Sequence, residues 1–309
     1  MRIDAHHHLW DQSARPQGWM DDATQVAIGG PYSLQDWAAA AEPSGVTHGV
    51  FVQTVPDPAE TPDVLALATT DPRLAAVVGW IDVDADPRPA GEQLDALIAG
   101  PGGEYLAGVR VAAEYSADPD SLNSPPIHAL ARALAGRDLA LDLLLTPANL
   151  AAAERLAAAN PETRMVINHL AKPTMREADF RAWADDIAAF TAHEHVACKL
   201  SGFLTFDALT MTADRLAPYA GAALAAFGPA RMMFGSDWPV SILGGGYGAS
   251  VSIAEQVIAP LSEGEQAAIW AGTACSWYRG LAAAIDGSLP SGAPRTNAPK
   301  DHTSTQRIS

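Results

Sequence analysis

Eight short runs rich in aliphatic and β-branched residues recur along this chain, each separated from the next by a longer, mostly alanine-rich stretch. The runs fall at 2–8, 47–54, 75–83, 106–112, 139–145, 164–170, 195–202 and 231–238. Several, such as AAVVGWIDV at 75–83 and LALDLLL at 139–145, are almost wholly apolar. Strands buried on both faces read this way, which predicts a parallel sheet covered by helices. The stretches between them, among them TPDVLALAT, TPANLAAAERLAAAN and TADRLAPYAGAALAAFG, carry apolar residues at helical spacing. Two of these open on Thr-Pro, which suits an N-cap followed by a first helical position. Eight β/α alternations predict an α/β fold, a single-domain (β/α)8 TIM barrel. The competing doubly wound sheet has no support, because no GxGxxG opens a helix.

The alternation places the barrel at 1–286. Residues 287–309 are polar and proline-rich and read as a disordered tail. The net charge of −17 argues against a nucleic-acid or anionic-membrane partner, while leaving room for a small molecule. No run approaches the ~18 apolar residues of a membrane span. The chain opens on MRIDAHHHLW without an apolar leader, and two cysteines make no disulfide framework. These features predict a cytoplasmic protein, monomeric or a small homo-oligomer. The glycine-rich SILGGGYGAS and the long segment PQGWMDDATQVAIGGPYS are expected as loops near the barrel mouth.

Catalytic groups of a barrel come from the C-terminal ends of its strands. His6 and His8, two apart on the first run, should face the same side, while His7 faces away. Two converging imidazoles suit metal binding or carbonyl polarisation. Gln53, Arg110, His169, Lys199 with Ser201, and Asp237 fall at the corresponding ends of other runs. Each has a structural alternative. The alternative for His169 is a satisfied core histidine, for Asp237 before Trp-Pro a turn or cap residue, and for Arg110 the partner of a structural carboxylate, each the lesser reading. Lys199 reads as structural. His48 lies at the wrong end of its strand, and His128, His193, His195 and His302 read as surface residues.

The ordered motifs IDAHHHLWD, VFVQT, ETPDVLALA, VVGWIDV, GVRV, NHLAKP, CKLSG and FGPARMMFGSDWPV resemble the amidohydrolase-related family of barrel hydrolases. That family includes sugar lactonases of the L-fuconolactonase and L-rhamnonolactonase type, and the likeness runs from residue 2 to about residue 283. It implies a hydrolase that opens a sugar-acid lactone, with His6, His8, His169 and Asp237 in the active site. In this reading Asp237 is the general base toward water, and the histidines either hold a metal or donate hydrogen bonds to the carbonyl oxygen. Arg110 and Gln53 would grip the substrate, and Trp10 and Trp238 would offer flat faces to its ring. The sequence departs from binuclear relatives, since the fifth strand supplies no histidine and the fourth no bridging lysine or carboxylate. The expectation is therefore one divalent ion on His6, His8, His169 and Asp237, with Zn²⁺ favoured, or none. A metal-dependent decarboxylase on the same fold is the alternative reaction. A non-enzymatic binding barrel is the alternative class.

Overall fold

Each of the eight runs forms a strand. The computed structural model describes residues 1–206 and 210–289. Its strands are β1 (Arg2–His7), β2 (Val46–Val52), β3 (Leu74–Gly79), β4 (Leu106–Ala112), β5 (Ala140–Leu144), β6 (Met165–Ile167), β7 (Val196–Leu200) and β8 (Met232–Phe234). They pair in sequence order through parallel ladders. Parallel neighbours need a crossover, and helices such as Glu60–Ala68, Ala90–Ala99, Pro125–Ala135 and Ala213–Phe227 supply it. A bridge between His7 and Trp238 brings the two edges together, with His8 N donating to Trp238 O at 2.7 Å and Asp237 N to His6 O at 2.8 Å. The sheet thus closes as a (β/α)8 barrel. No described helix is long and apolar enough to cross a membrane.

Two apolar layers hold the barrel. Between strands and helices lie residues such as Trp37, Phe51, Leu94, Leu130, Leu156 and Phe190, all buried. A second cluster draws Ile3, Val50, Val78, Ala107, Ala140, Val166, Ala197 and Met233 from the eight strands in turn, and Tyr278 and Leu281 pack against it from the C-terminal segment. Small and branched residues from every strand are what a filled barrel interior requires.

The strands other than β4 stop short of the runs that predict them, and the reasons lie at the barrel mouth. β6 ends at Ile167 because His169 to Lys172 all adopt left-handed backbone, with φ of 54°, 51°, 57° and 48°. β8 ends at Phe234, and Asp237 is also left-handed, at φ 57°. β1 carries a register shift between Asp4 and His7, where three residue steps oppose two on β2. This irregularity puts Asp4 toward Trp37 and Tyr247, which donate to its carboxylate, although His6 two residues on turns toward Lys199 and His8.

The helix starts differ in one place. Thr146 caps the turn at Pro147 as a capping box with Asn149. Thr61, expected as a cap, lies inside the helix Glu60–Ala68 instead. Its hydroxyl is buried and donates to Trp80 O at 3.0 Å, so the helix begins upstream of it. The long segment after β1 contains a helix at Asp22–Ile28, capped by Asp21. The glycine-rich stretch is not a loop throughout: it forms a 3-10 turn at Val240–Gly244 and the start of a helix at Tyr247–Ile258. Of the tail expected from residue 287, positions from 290 onward lie outside the described residues.

Candidate active site

Asp237 Oδ1 is the centre of the site. Three imidazole Nε2 atoms surround it: His8 at 3.3 Å, His169 at 3.6 Å and His6 at 3.7 Å. Each residue reaches this point from a different kind of local structure. His6 lies near the end of the bulged β1, and His8 follows its last residue. His169 opens the left-handed turn after β6. Asp237 sits in left-handed backbone after β8, a conformation that Asp tolerates better than most residues. Left-handed non-glycine residues cost roughly 1 kcal/mol or more each, and such strain collects where a fold must aim functional groups.

The histidines are oriented by their far sides. His8 Nδ1–H donates to Val52 O at 2.7 Å, so its Nε2 presents a lone pair to the centre. His169 Nδ1 shares a 2.9 Å hydrogen bond with the Ser201 hydroxyl. Lys199 Nζ stands 3.3 Å from His6 Nδ1 while pairing with Asp142 at 2.6 Å. A charged lysine can only donate, which favours the His6 tautomer with its proton on Nε2. His7 points away, as expected, and stacks on Trp37 with centroids 4.5 Å apart. Gly49 makes room for it, because a Cβ there would lie 2.5 Å from the His7 ring.

Burial pushes the His6 imidazole well below its ordinary value, reinforced by Lys199. Burial likewise pulls His169 down to about 3, against the opposing charge of Asp237. Both rings are therefore neutral at working pH. Burial alone would raise the Asp237 carboxyl. The adjacent His169 imidazole and the Lys172 ammonium outweigh it, and the net shift is downward. Asp237 is an anion able to take a proton.

His6, His8 and Asp237 offer ligand atoms that all lie within 4.8 Å of one another. His6 and His8 Nε2 are 3.2 Å apart. Two ligands each about 2.0–2.1 Å from a tetrahedral zinc lie roughly 3.3 Å apart, so this donor set fits one such ion. Ligation through His6 Nε2 takes the tautomer opposite to the one Lys199 favours. His169 approaches Asp237 but stands outside that three-atom group.

Of the other expected contacts, Trp10 and Arg110 line the pocket over Asp237, together with Trp19, Glu114, Tyr115 and Lys172. Gln53 turns to Arg110 instead: Arg110 Nε donates to Gln53 Oε1 at 2.9 Å, and a second guanidinium nitrogen donates to Gln53 O. Trp238 is buried edge-on against Tyr32 and is not part of the pocket wall. Glu114 and Lys172, paired at 2.5 Å, were not anticipated as site residues. Nor was Asp142, although a lone Asp inside the apolar run LALDLLL was a visible signal.

The support of His169 gives a direct test. Gly202 has φ +67°, and a Cβ on it would lie 2.5 Å from His169 Nδ1. Gly202→Ala should displace that ring and lower kcat by about 10²-fold, the scale of a small misplacement of a reacting group. Steady-state kinetics on folded variant checks this, and unchanged kcat would mean that His169 placement is immaterial.

The comparisons agree with this geometry. A protein-family model described as "Amidohydrolase" matches residues 3–280. An L-fucono-1,5-lactonase of Burkholderia ambifaria is 35% identical over 282 residues, covering 90% of this chain and 95% of that protein. An L-fucono-1,5-lactonase of Burkholderia multivorans is 31% identical over 290 residues, covering 90% and 96%. A crystal structure of an amidohydrolase from Burkholderia multivorans with bound Zn superposes with a TM-score of 0.82 at 30% identity, covering 90% of this chain and 98% of that one.

Proposed function

The chain belongs to the amidohydrolase family, and we propose that within it this protein opens sugar-acid lactones, aldonolactones such as L-fuconolactone or L-rhamnonolactone. The observation that carries the reading is the anionic Asp237 ringed by three imidazoles beneath a pocket walled by Trp10, Trp19 and charged side chains. The likeness to two L-fucono-1,5-lactonases supports the substrate class.

Ester hydrolysis needs a base for water, stabilisation of the oxygen that becomes negative, and an acid for the leaving alkoxide. Asp237, held anionic, takes a proton from water as the water oxygen attacks the ring carbonyl carbon. The C–O ring bond then breaks, and the proton on Asp237 passes to the departing ring oxygen. Neutral His6, with its proton on Nε2, donates to the carbonyl oxygen as charge develops there. His169, neutral and anchored by Ser201, packs against the His6 ring with centroids 4.4 Å apart, and its approach to Asp237 fixes the direction of that carboxylate. A divalent ion, Zn²⁺ in this reading, would be held by His6, His8 and Asp237; its ligation takes up His6 Nε2, so it would supply Lewis-acid polarisation of the carbonyl in place of the His6 donor. Arg110, braced by Gln53, grips the substrate, and Trp10 gives its ring a flat wall.

A panel of aldonolactones read with a pH indicator, with and without chelator, tests this. The expected result is one proton released per lactone opened, no CO2, and at most one equivalent of metal per chain. Release of CO2 from an aromatic acid with no lactone turnover would replace the reading with decarboxylation. Two equivalents of metal would overturn the single-ion site.

A further inference from the structure

Glu114 and Lys172 form a charged pair over the catalytic centre that the reaction does not use. Glu114 sits in the short 3-10 turn Ala113–Tyr115 after β4, and Lys172 ends the left-handed turn that begins at His169. Their side chains meet at 2.5 Å, with Glu114 only 7% exposed and Lys172 37% exposed. Both line the pocket that holds His8, His169 and Asp237. A carboxylate offers about four acceptor positions and an ammonium three donors, so the mutual contact, with the Tyr115 side chain also hydrogen-bonded to Glu114, leaves capacity on each group. Adjacent acceptors and donors of this kind match neighbouring hydroxyls, each of which both donates and accepts.

The charges of the pocket narrow the ligand further. Arg110 already gives two donors to Gln53, and Lys172 is neutralised by Glu114. No surplus positive charge waits at this pair for an anionic substituent, and the chain as a whole carries −17. We propose that the Glu114–Lys172 pair is the specificity element of the site, reading adjacent hydroxyls of a neutral polyhydroxylated lactone and turning away lactones that carry a carboxylate at that end. This rests on the lactonase reading above and adds the part of the substrate that the catalytic groups do not touch.

The test compares three substrates on three proteins. The substrates are a neutral aldonolactone, its deoxy analogue lacking one ring-distal hydroxyl, and the aldaric monolactone with a carboxylate in place of the terminal carbinol. The proteins are wild type, Glu114→Gln, and Glu114→Gln combined with Lys172→Met, which leaves neither charge alone and guards against a folding defect in the single variant. Wild type should favour the neutral lactone over the other two by about 10-fold or more in kcat/KM. In Glu114→Gln, KM for the neutral lactone should rise about 10-fold with a smaller change in kcat, and the preference over the aldaric lactone should collapse toward unity. The double variant should show the same loss of preference. Ratios unmoved in both variants, or a wild type that favours the aldaric lactone, overturn the proposal and leave the lactonase reading standing. A wild type that opens none of the three overturns both.

Discussion

Asp237→Asn lowers kcat on the lactone substrate by about 10²–10⁴-fold, the usual range for a lost general base, without unfolding the protein. Asn is isosteric and is at home in the left-handed backbone that Asp237 adopts at φ 57°, so the loop should keep its shape. What disappears is the proton acceptor. The pH profile carries the same signature. The Asp237 carboxyl lies below its ordinary value despite its burial, through the adjacent His169 imidazole and the Lys172 ammonium. Activity should therefore hold through the ordinary carboxylate range as pH falls and be lost only as Asp237 protonates below it. Near-normal turnover by the Asn variant, measured at substrate saturation, would remove Asp237 from the base role. The variant's far-UV circular dichroism separates loss of chemistry from loss of fold.

Lys199→Met should produce the largest stability effect. Lys199 and Asp142 are both fully buried and paired at 2.6 Å. Tyr278 Oη also donates to Asp142, at 2.9 Å, and so does Asn168 Nδ2, also at 2.9 Å. Removing the lysine leaves a carboxylate in the barrel interior with two neutral donors and no counter-charge. Breaking a buried pair in this way costs about 3–5 kcal/mol, whereas replacing both members by apolar residues is often close to neutral. Lys199→Met combined with Asp142→Leu should therefore recover much of the loss. Urea unfolding of the three proteins decides the matter, and a single variant within about 1 kcal/mol of wild type would show that water or rearrangement compensates the charge.

Both residues bear on how far this molecule could be read from its sequence. The barrel was legible because strands covered on both faces are apolar throughout, and the helices between them keep their own period. Runs 106–112 and β4 even coincide. His6, His8, His169 and Asp237 were legible because barrel chemistry is confined to strand ends, and the structure brings all four together around one carboxylate oxygen. The pairing of Arg110 with Gln53 was not legible, since nothing local says that two adjacent strand ends will satisfy each other. Glu114 and Lys172 were missed for a different reason. They lie beyond the strands, in a 3-10 turn and in a left-handed turn that contains no glycine to announce it. Lys199 was read as structural from its strand position, in keeping with its buried contact to Asp142. The bulge in β1 left no mark in the sequence, yet it separates the outward Asp4 from the inward His6.

The seam between β1 and β8 has a consequence for assembly. The first and last strands are not joined by an extended ladder among the described residues. They meet through the His7–Trp238 bridge, the bonds from His8 N and Asp237 N, and Asp4, whose carboxylate accepts from Ser236 N at 2.8 Å and Ser236 Oγ at 2.6 Å. Contacts between positions 6 and 237 are among the most distant the chain makes, and closing so long a loop is entropically late in folding. His6, His8 and Asp237 are the groups on either side of that seam. A nascent chain still lacking its eighth strand thus has a nearly complete shell of helices and strands, with His6, His8 and His169 but without Asp237. With Asp237 as the proposed base, competence arrives only when the cylinder shuts, and turnover itself would report topological completion.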